Sequence, residues 1–266
     1  MTLPRSVPHR RALVLGTLLG LALAAPAAQA CAPSIARVDL YDRTEHQTLD
    51  VHQHRGRQYV VGQPGNEYAI RVRNCSDRRV LAVVSVDGVN VVTGETAAPD
   101  QSGYVIEPYG EVTIQGWRKD LERTAAFYFS DPGDAYAART GRPDDLGVIG
   151  VALFRERAPR RVYSPDAVAS PPAAARQEST ADAKASREAM ESSAGASAPL
   201  GTGHGRREWS PVQRVEFERA GSRPDQRVAI RYDRRENLVA RGVLPRPRPW
   251  REPNPFPGAL GFVPDP

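Results

Sequence analysis

Short segments of alternating hydrophobic and polar residues constrain the fold of this chain more than any other feature. Ile35–Tyr41 and Glu67–Asn74 alternate residue by residue, as strands with one buried face do. Val80–Val86 and Val148–Phe154 are apolar on both faces, which is typical of central strands. This period of two excludes a helical bundle and predicts about eight to ten strands before residue 158.

The residues between these segments favour tight turns. Asp87-Gly88 separates two apolar runs and is a strong hairpin signal, because both central residues of a type I′ turn need a positive φ. Gln63–Asn66 places Pro second and Gly third, as a type II turn requires. We therefore predict an all-β protein whose residues 31–157 form a β-sandwich of the Greek-key or jelly-roll kind. A closed barrel is the alternative.

The composition changes sharply after this domain. Residues 158–199 are dominated by Ala, Ser, Pro and Glu, and such a segment buries too little apolar surface to offset its ordering entropy. We predict a disordered linker there. The glycine-rich run at 201–205 is not spaced like a phosphate-binding loop, so we expect a turn where the linker rejoins the fold.

Residues 200–266 regain a pattern. Val215 and Phe217 indicate one strand, and Val228–Tyr232 indicates a second. Asp233, with a glutamate three residues later, matches the capping box of a short helix. We predict a basic β-β-α appendage with a proline-rich tail, which docks on the sandwich because its own core is thin.

The N-terminus has the three parts of a secretory signal peptide. They are the basic Arg5, Arg10 and Arg11, the apolar stretch Ala12–Ala25, and the small-residue motif Ala28-Gln29-Ala30. We predict a signal peptide over residues 1–30, cleaved after Ala30, and a periplasmic or secreted protein. An outer-membrane lipoprotein is the weaker alternative, because Ala28 stands where lipid-attachment sites usually carry Leu.

The chain contains 2 cysteines, Cys31 and Cys75. Export places both in an oxidising compartment, so we predict that they form a disulfide. In the chain-entropy model a bridge closing a loop of about 45 residues stabilises the fold by roughly 4 kcal/mol.

Charge is distributed unevenly along the chain. Residues 31–157 hold 15 basic and 18 acidic side chains, a net charge of −3, whereas residues 200–266 hold 13 Arg and 8 acidic residues, a net charge of +5. Because we expect the protein to leave the cytoplasm, we expect no nucleic-acid partner. We also expect no transmembrane segment after signal removal, because no later apolar run has the length of a membrane span.

Several segments together resemble a family of uncharacterised exported proteobacterial proteins, chiefly over residues 60–157. The segments are Gly65–Asn74, Val83–Val91, Gly116–Lys119, Tyr136–Gly141 and Gly147–Gly150. The resemblance implies a location outside the cytoplasm and a sandwich fold. It implies no catalytic residues, since no activity is known for that family.

Three histidines, His46, His52 and His54, fall within nine residues. On a strand, His52 and His54 share a face and, with Glu45 or Asp50, have the donor types that bind a divalent metal. The alternative is a solvated edge strand, since two neighbouring arginines oppose a cation. We expect no cofactor.

Trp117, Arg118 and Lys119 follow a predicted strand and form a candidate ligand surface. An aromatic ring beside two cations suits a sugar or an anionic polymer; the alternative is that Trp117 covers the core. A long loop over residues 131–147 is a further candidate, because long loops inside compact domains are often functional.

Catalytic residues are not identified by the sequence, which lacks a Gly-x-Ser-x-Gly nucleophile elbow. We expect an exported binding or structural module of the cell envelope, whose partner is an envelope protein or a polysaccharide. The alternative is a secreted metal-dependent enzyme or glycan hydrolase that uses the 131–147 loop.

Overall fold

The computed structural model describes residues 34–158 and 198–246, and these form two packed sheets of seven strands each. The prediction of an all-β sandwich is confirmed. The strands are β1 Ala36–Asp42, β2 Gln47–Thr48, β3 His52–His54, β4 Arg57–Val61, β5 Glu67–Asn74, β6 Val80–Val86, β7 Val89–Asn90, β8 Tyr104–Ile106, β9 Glu111–Ile114, β10 Gly116–Arg118, β11 Arg123–Ser130, β12 Val148–Arg155, β13 Gly201–Trp209 and β14 Gln226–Asp233. The helices are α1 Tyr136–Arg139 and α2 Arg235–Ala240.

The first sheet has the order β10-β11-β5-β1-β2, with β9 beside β5 and β13 beside β11. The second sheet has the order β3-β4-β14-β12-β6-β7, with β8 beside β6. All pairs are antiparallel except β14 with β4. The alternating pattern places Val38, Leu40 and Ile70 inward, so the inner faces of the two sheets bury one continuous core.

The C-terminal segment completes both sheets, and the prediction of an appendage docked on a finished sandwich is corrected on this point. β13 joins the first sheet, and β14 lies between β4 and β12 in the second. The run at 201–205 is therefore the start of a strand and not a turn. Its glycines alternate with Thr202 and His204, which is a period of two hidden by residues without side chains.

Two local predictions for this segment are wrong. Val215 and Phe217 do not lie in a strand; Phe217 packs on the outer face of the second sheet over Phe154, while Val215 is exposed. Asp233 is not the N-cap of α2, because Arg234 holds that position and no side chain caps it. The Asp233 carboxylate instead accepts hydrogen bonds from the Arg234 backbone N–H and the Asn237 amide.

The predicted hairpin turn at Asp87-Gly88 is confirmed, with φ values of 50° and 73°. The predicted turn at Gln63–Asn66 is confirmed as well, since the Asn66 N–H donates to the Gln63 carbonyl and Gly65 has φ 87°.

No helix in the described part of the chain is long and apolar enough to cross a membrane. The predicted signal peptide, nearly all of the predicted linker and the proline-rich tail lie outside the described residues.

Candidate functional site

One end of β13 presents several side chains on a single face. Across the β11–β13 pair, His204 lies opposite Phe127, Arg207 opposite Ala125 and Trp209 opposite Arg123. Opposed residues share a face, and alternate residues of β11 share a face too. A register shift in the pair, which adds one residue to β13 between His204 and Arg207, therefore brings His204, Arg207 and Trp209 to the same side.

Aromatic rings support this face from below. The His204 ring lies 5.6 Å from the Tyr136 ring, which lies 4.7 Å from the indole of Trp117. Trp117 in turn meets Phe127 edge-on at 5.2 Å, and its Nε1–H donates to the Gly203 carbonyl at 3.1 Å. Trp117 thus anchors Tyr136 and His204 to the core, and their positions are fixed by packing.

Three cations surround His204. Lys119 follows β10, Arg139 ends α1, and Arg207 lies on β13; all three side chains are exposed. Partial burial lowers the pKa of His204 below its usual value, and the positive charges of Lys119, Arg139 and Arg207 lower this pKa further. His204 is therefore neutral at pH 7, within a locally positive surface.

Trp209 extends the face with an exposed aromatic ring. Its side chain is 67% exposed, and nearby Leu121 is 46% exposed. We use the name "basic aromatic face" for Lys119, Tyr136, Arg139, His204, Arg207 and Trp209. An exposed Trp on a monomer surface is uncommon and marks interaction sites, since the ring gains most when a ligand covers it.

The glycines of β13 and the 131–147 loop position this face. A Cβ on Gly201 would lie 2.5 Å from the Ala135 Cβ, and one on Gly203 would lie 2.0 Å from the Tyr128 ring. Only glycine lets the loop and the Tyr128 ring approach β13 this closely. At the far end of the loop, the Gly147 N–H donates to the Asp87 carboxylate at 2.9 Å, which holds the loop in place.

The sequence identified the neighbourhood of this site but not its composition. Trp117 is 3% exposed, so it supports the face from beneath and does not offer a ring to a ligand. Arg118 is directed elsewhere, donating to Tyr104 Oη and to the Ser210 carbonyl. Lys119 alone of the three predicted surface residues lies on the basic aromatic face. Tyr136 lies in the 131–147 loop that was a sequence-based candidate, but His204 and Trp209 were missed, because strand pairing brings them from a distant part of the chain.

The structure does not gather the three predicted metal ligands. His52 and His54 share a face of β3 in the second sheet, as predicted, but His46 lies in the turn after β1 in the first sheet. Among residues 34–158 and 198–246, no three His, Cys, Asp or Glu side chains come within reach of one ion.

A buried polar network lies beneath the same loop. Tyr232 Oη donates to Asp87 Oδ1 at 2.5 Å, Thr202 Oγ1 lies 2.6 Å from Tyr232 Oη, and Tyr68 Oη lies 2.7 Å from Thr202 Oγ1. Because the Tyr232 proton goes to Asp87, Thr202 must donate to Tyr232 and Tyr68 to Thr202. The Thr202 N–H also donates to Asp87 Oδ2 at 2.7 Å. The network joins both sheets to the C-terminal strands.

Burial raises the pKa of Asp87 to about 6, although its hydrogen bonds from Tyr232, Thr202, Gly147 and Val148 act in the opposite direction. A carboxyl group with a raised pKa is a common sign of catalysis. Asp87, however, is 0% exposed and has its oxygens occupied by protein donors, so no substrate reaches it. Its role is structural.

A shallow depression lies beside the end of β12. Arg79 and Glu156 form an ion pair in its wall, and the exposed Arg78 and Arg157 complete it. Comparisons of the chain with protein-family models, curated proteins and solved structures return no match.

Proposed function

We propose that this protein is an exported, non-catalytic module of the cell envelope that binds a glycan through the basic aromatic face. The observation that carries the proposal is Trp209, which is 67% exposed at the end of β13. Sugar rings present C–H groups that pack on an aromatic face, and their hydroxyl groups accept hydrogen bonds from cationic side chains.

The surroundings of Trp209 support a glycan over a protein partner. Apart from Trp209 and Leu121, the exposed side chains around the face are mainly charged, including Arg123 paired with Asp120. Stable protein interfaces instead have an apolar centre with few charges. A ring flanked by hydrogen-bond donors is better suited to a polar chain of sugars.

The other hypothesis, a metal-dependent enzyme or glycan hydrolase on the 131–147 loop, has less support. Of the loop carboxylates, Asp131 pairs with Arg234, whereas Asp134, Asp144 and Asp145 are exposed and not enclosed in a cleft that excludes water. A hydrolase needs two carboxyl groups across one bond, one of them protonated near neutral pH. The carboxyl group with the raised pKa, that of Asp87, is sealed in the core.

Calorimetric titration of the purified mature chain tests the proposal. The polymers are purified peptidoglycan, polygalacturonate, dextran sulfate and dextran. We expect saturable binding to at least one polymer, and Trp209→Ala should weaken it about tenfold or more. The matched control is Tyr109→Asn, because Tyr109 is 65% exposed in a distant turn and Asn tolerates its φ of 57°. No saturable binding, or an unaffected Trp209→Ala, would refute the proposal.

Export and the Cys31–Cys75 disulfide belong to the same proposal. The Cys75 N–H donates to the Ile35 carbonyl at 2.8 Å, so Cys75 lies beside a residue that follows Cys31 by four positions. No free cysteine occurs in the described part of the chain, which does not include Cys31. Intact mass spectrometry of protein from the periplasm should give a chain that begins at Cys31 and lacks two hydrogens. A diacylglycerol adduct or two free thiols would contradict this.

A further inference from the structure

The cationic side chains on the two faces of β13 differ in whether they form ion pairs. On one face, Arg206 binds Glu67 and Glu208 at 2.7 Å each, and Arg43 binds Glu208 at 2.9 Å. On the other face, Lys119, Arg139 and Arg207 form no ion pair with any described carboxylate. Positive charge is thus neutralised within the protein on one side and left available on the other.

The available cations converge from three separate elements. Tyr136 touches the His204 ring, and Arg139 lies three residues further along α1, which places it on the same side of that helix. Arg207 and Trp117 both lie opposite Ala125, on its two neighbouring strands, and Lys119 follows Trp117 by two residues. All three charges are close enough to His204 to lower its pKa.

We propose that Lys119, Arg139, Arg207 and His204 form an anion subsite, which selects glycans whose sugars carry a carboxylate or sulfate group next to the ring held by Trp209. This inference rests on the proposed function. Guanidinium groups suit such anions because they donate paired hydrogen bonds to two oxygens. A neutral glycan would gain the stacking contact but not the charged contacts.

His204 makes the subsite sensitive to pH. The groups that face it are Arg207 on its own strand, Lys119 after β10, and Tyr136 and Arg139 on α1, while Phe127 on β11 is apolar. The three cations disfavour protonation of His204, and a bound anion would offset them. Proton binding and anion binding therefore strengthen each other, as linkage requires.

Dextran sulfate and dextran provide the test, because they share a backbone and the sulfate charge does not change between about pH 5 and 8. We expect the wild-type chain to bind dextran sulfate more tightly than dextran. Replacing Lys119 and Arg207 together by Gln should weaken dextran sulfate binding roughly 2- to 25-fold and weaken dextran binding less, so that the preference for the sulfated polymer falls. The control is Arg227→Gln, an exposed arginine of β14 in the other sheet.

The pH arm uses His204→Gln, with His46→Asn as a control for an exposed histidine elsewhere. Wild-type affinity for dextran sulfate should be roughly 1.5- to 5-fold tighter at pH 5.5 than at pH 7.5, and His204→Gln should abolish that difference. Thermal melting confirms that each variant is folded. Equal affinity for dextran and dextran sulfate, with Trp209→Ala still impaired, would overturn the anion subsite and leave the proposed function standing. No binding to either polymer or to the other glycans would overturn both.

Discussion

Replacing Asp87 by asparagine removes the charge from the buried network and keeps its size. An asparagine oxygen can still accept hydrogen bonds from Tyr232 and from the Gly147 N–H. Its amide group, however, then faces the Thr202 N–H, which donates to Oδ2 of the aspartate at 2.7 Å. An unpaired buried donor costs roughly 1–3 kcal/mol, so the variant should lose stability.

The size of this loss should depend on pH. The pKa of Asp87 is about 6 in the folded protein, against a reference value of 3.8. The folded state therefore binds the proton more tightly, and this group stabilises the protein below pH 3.8 and loses its contribution as the pH rises through about 6. The full difference corresponds to about 3 kcal/mol, of which roughly 2 kcal/mol lies between pH 7 and pH 4.

Urea unfolding of the wild-type chain and Asp87→Asn at pH 4, 5, 6 and 7 measures the effect. All other groups titrate in both proteins, so the difference between their free energies of unfolding isolates Asp87. We expect the wild-type advantage to grow by about 2 kcal/mol from pH 7 to pH 4. A difference that does not change with pH, or that shrinks on acidification, would refute the claim that the buried Asp87 has a raised pKa in the folded protein.

Three further predictions concern the fold. Tyr232→Phe removes the hydroxyl that donates to the carboxylate of the network, and the free energy of unfolding in urea should fall by about 1–3 kcal/mol; an unchanged value would contradict the network. Gly116→Ala places a Cβ 2.0 Å from a backbone oxygen, so its free energy of unfolding should fall by at least about 1–3 kcal/mol. Gly221→Ala is the control, because its Cβ meets nothing within 4 Å and should cause no such loss. Equal melting temperatures of the two variants would show this reasoning wrong. A protease site introduced within residues 159–197 should yield two fragments that co-elute in size-exclusion chromatography, because each sheet contains strands from both fragments; separate elution would count against that arrangement.

Much of the fold could be predicted from the sequence, because its strands are half-buried and alternate cleanly. The alternation in the sequence predicted the buried face of two strands correctly. That face carries Val38 and Leu40 on β1, and Tyr68 and Ile70 on β5. The hairpin at Asp87-Gly88 was equally accessible, since few residue pairs adopt two positive φ values.

The errors occur where side chains carry little information. β13 begins with glycines, whose missing side chains gave a turn signal although Thr202 and His204 alternate as in a strand. Phe217 has the spacing of a strand residue with Val215, yet it lies on irregular chain and covers the outer face of the second sheet. An alternation of only two hydrophobic residues is too short to distinguish a strand from an irregular segment that packs on a sheet.

The candidate site depended on pairings that no local pattern encodes. Trp117 lies within β10 and Trp209 ends β13, but the first is buried against Phe127 and the second is exposed. Which of the two faces solvent is decided by the pairing of β11 with β13 across more than seventy residues. The same pairing places His204 beside Tyr136. His46 is separated from His52 and His54 for another reason: it lies between β1 and β2 of the first sheet, whereas β3 belongs to the second sheet.

The indole N–H resonances of the chain, which contains 3 tryptophans, test the central claim most directly. In a nitrogen-15 correlation spectrum titrated with a bound glycan, the Trp209 resonance, assigned from its loss in Trp209→Ala, should shift progressively and saturably. The Trp117 resonance should move little, because its N–H is already donated to the Gly203 carbonyl inside the core. Shifts confined to Trp117 or Trp250, with Trp209 unmoved at saturation, would contradict the assignment of the basic aromatic face as the binding surface.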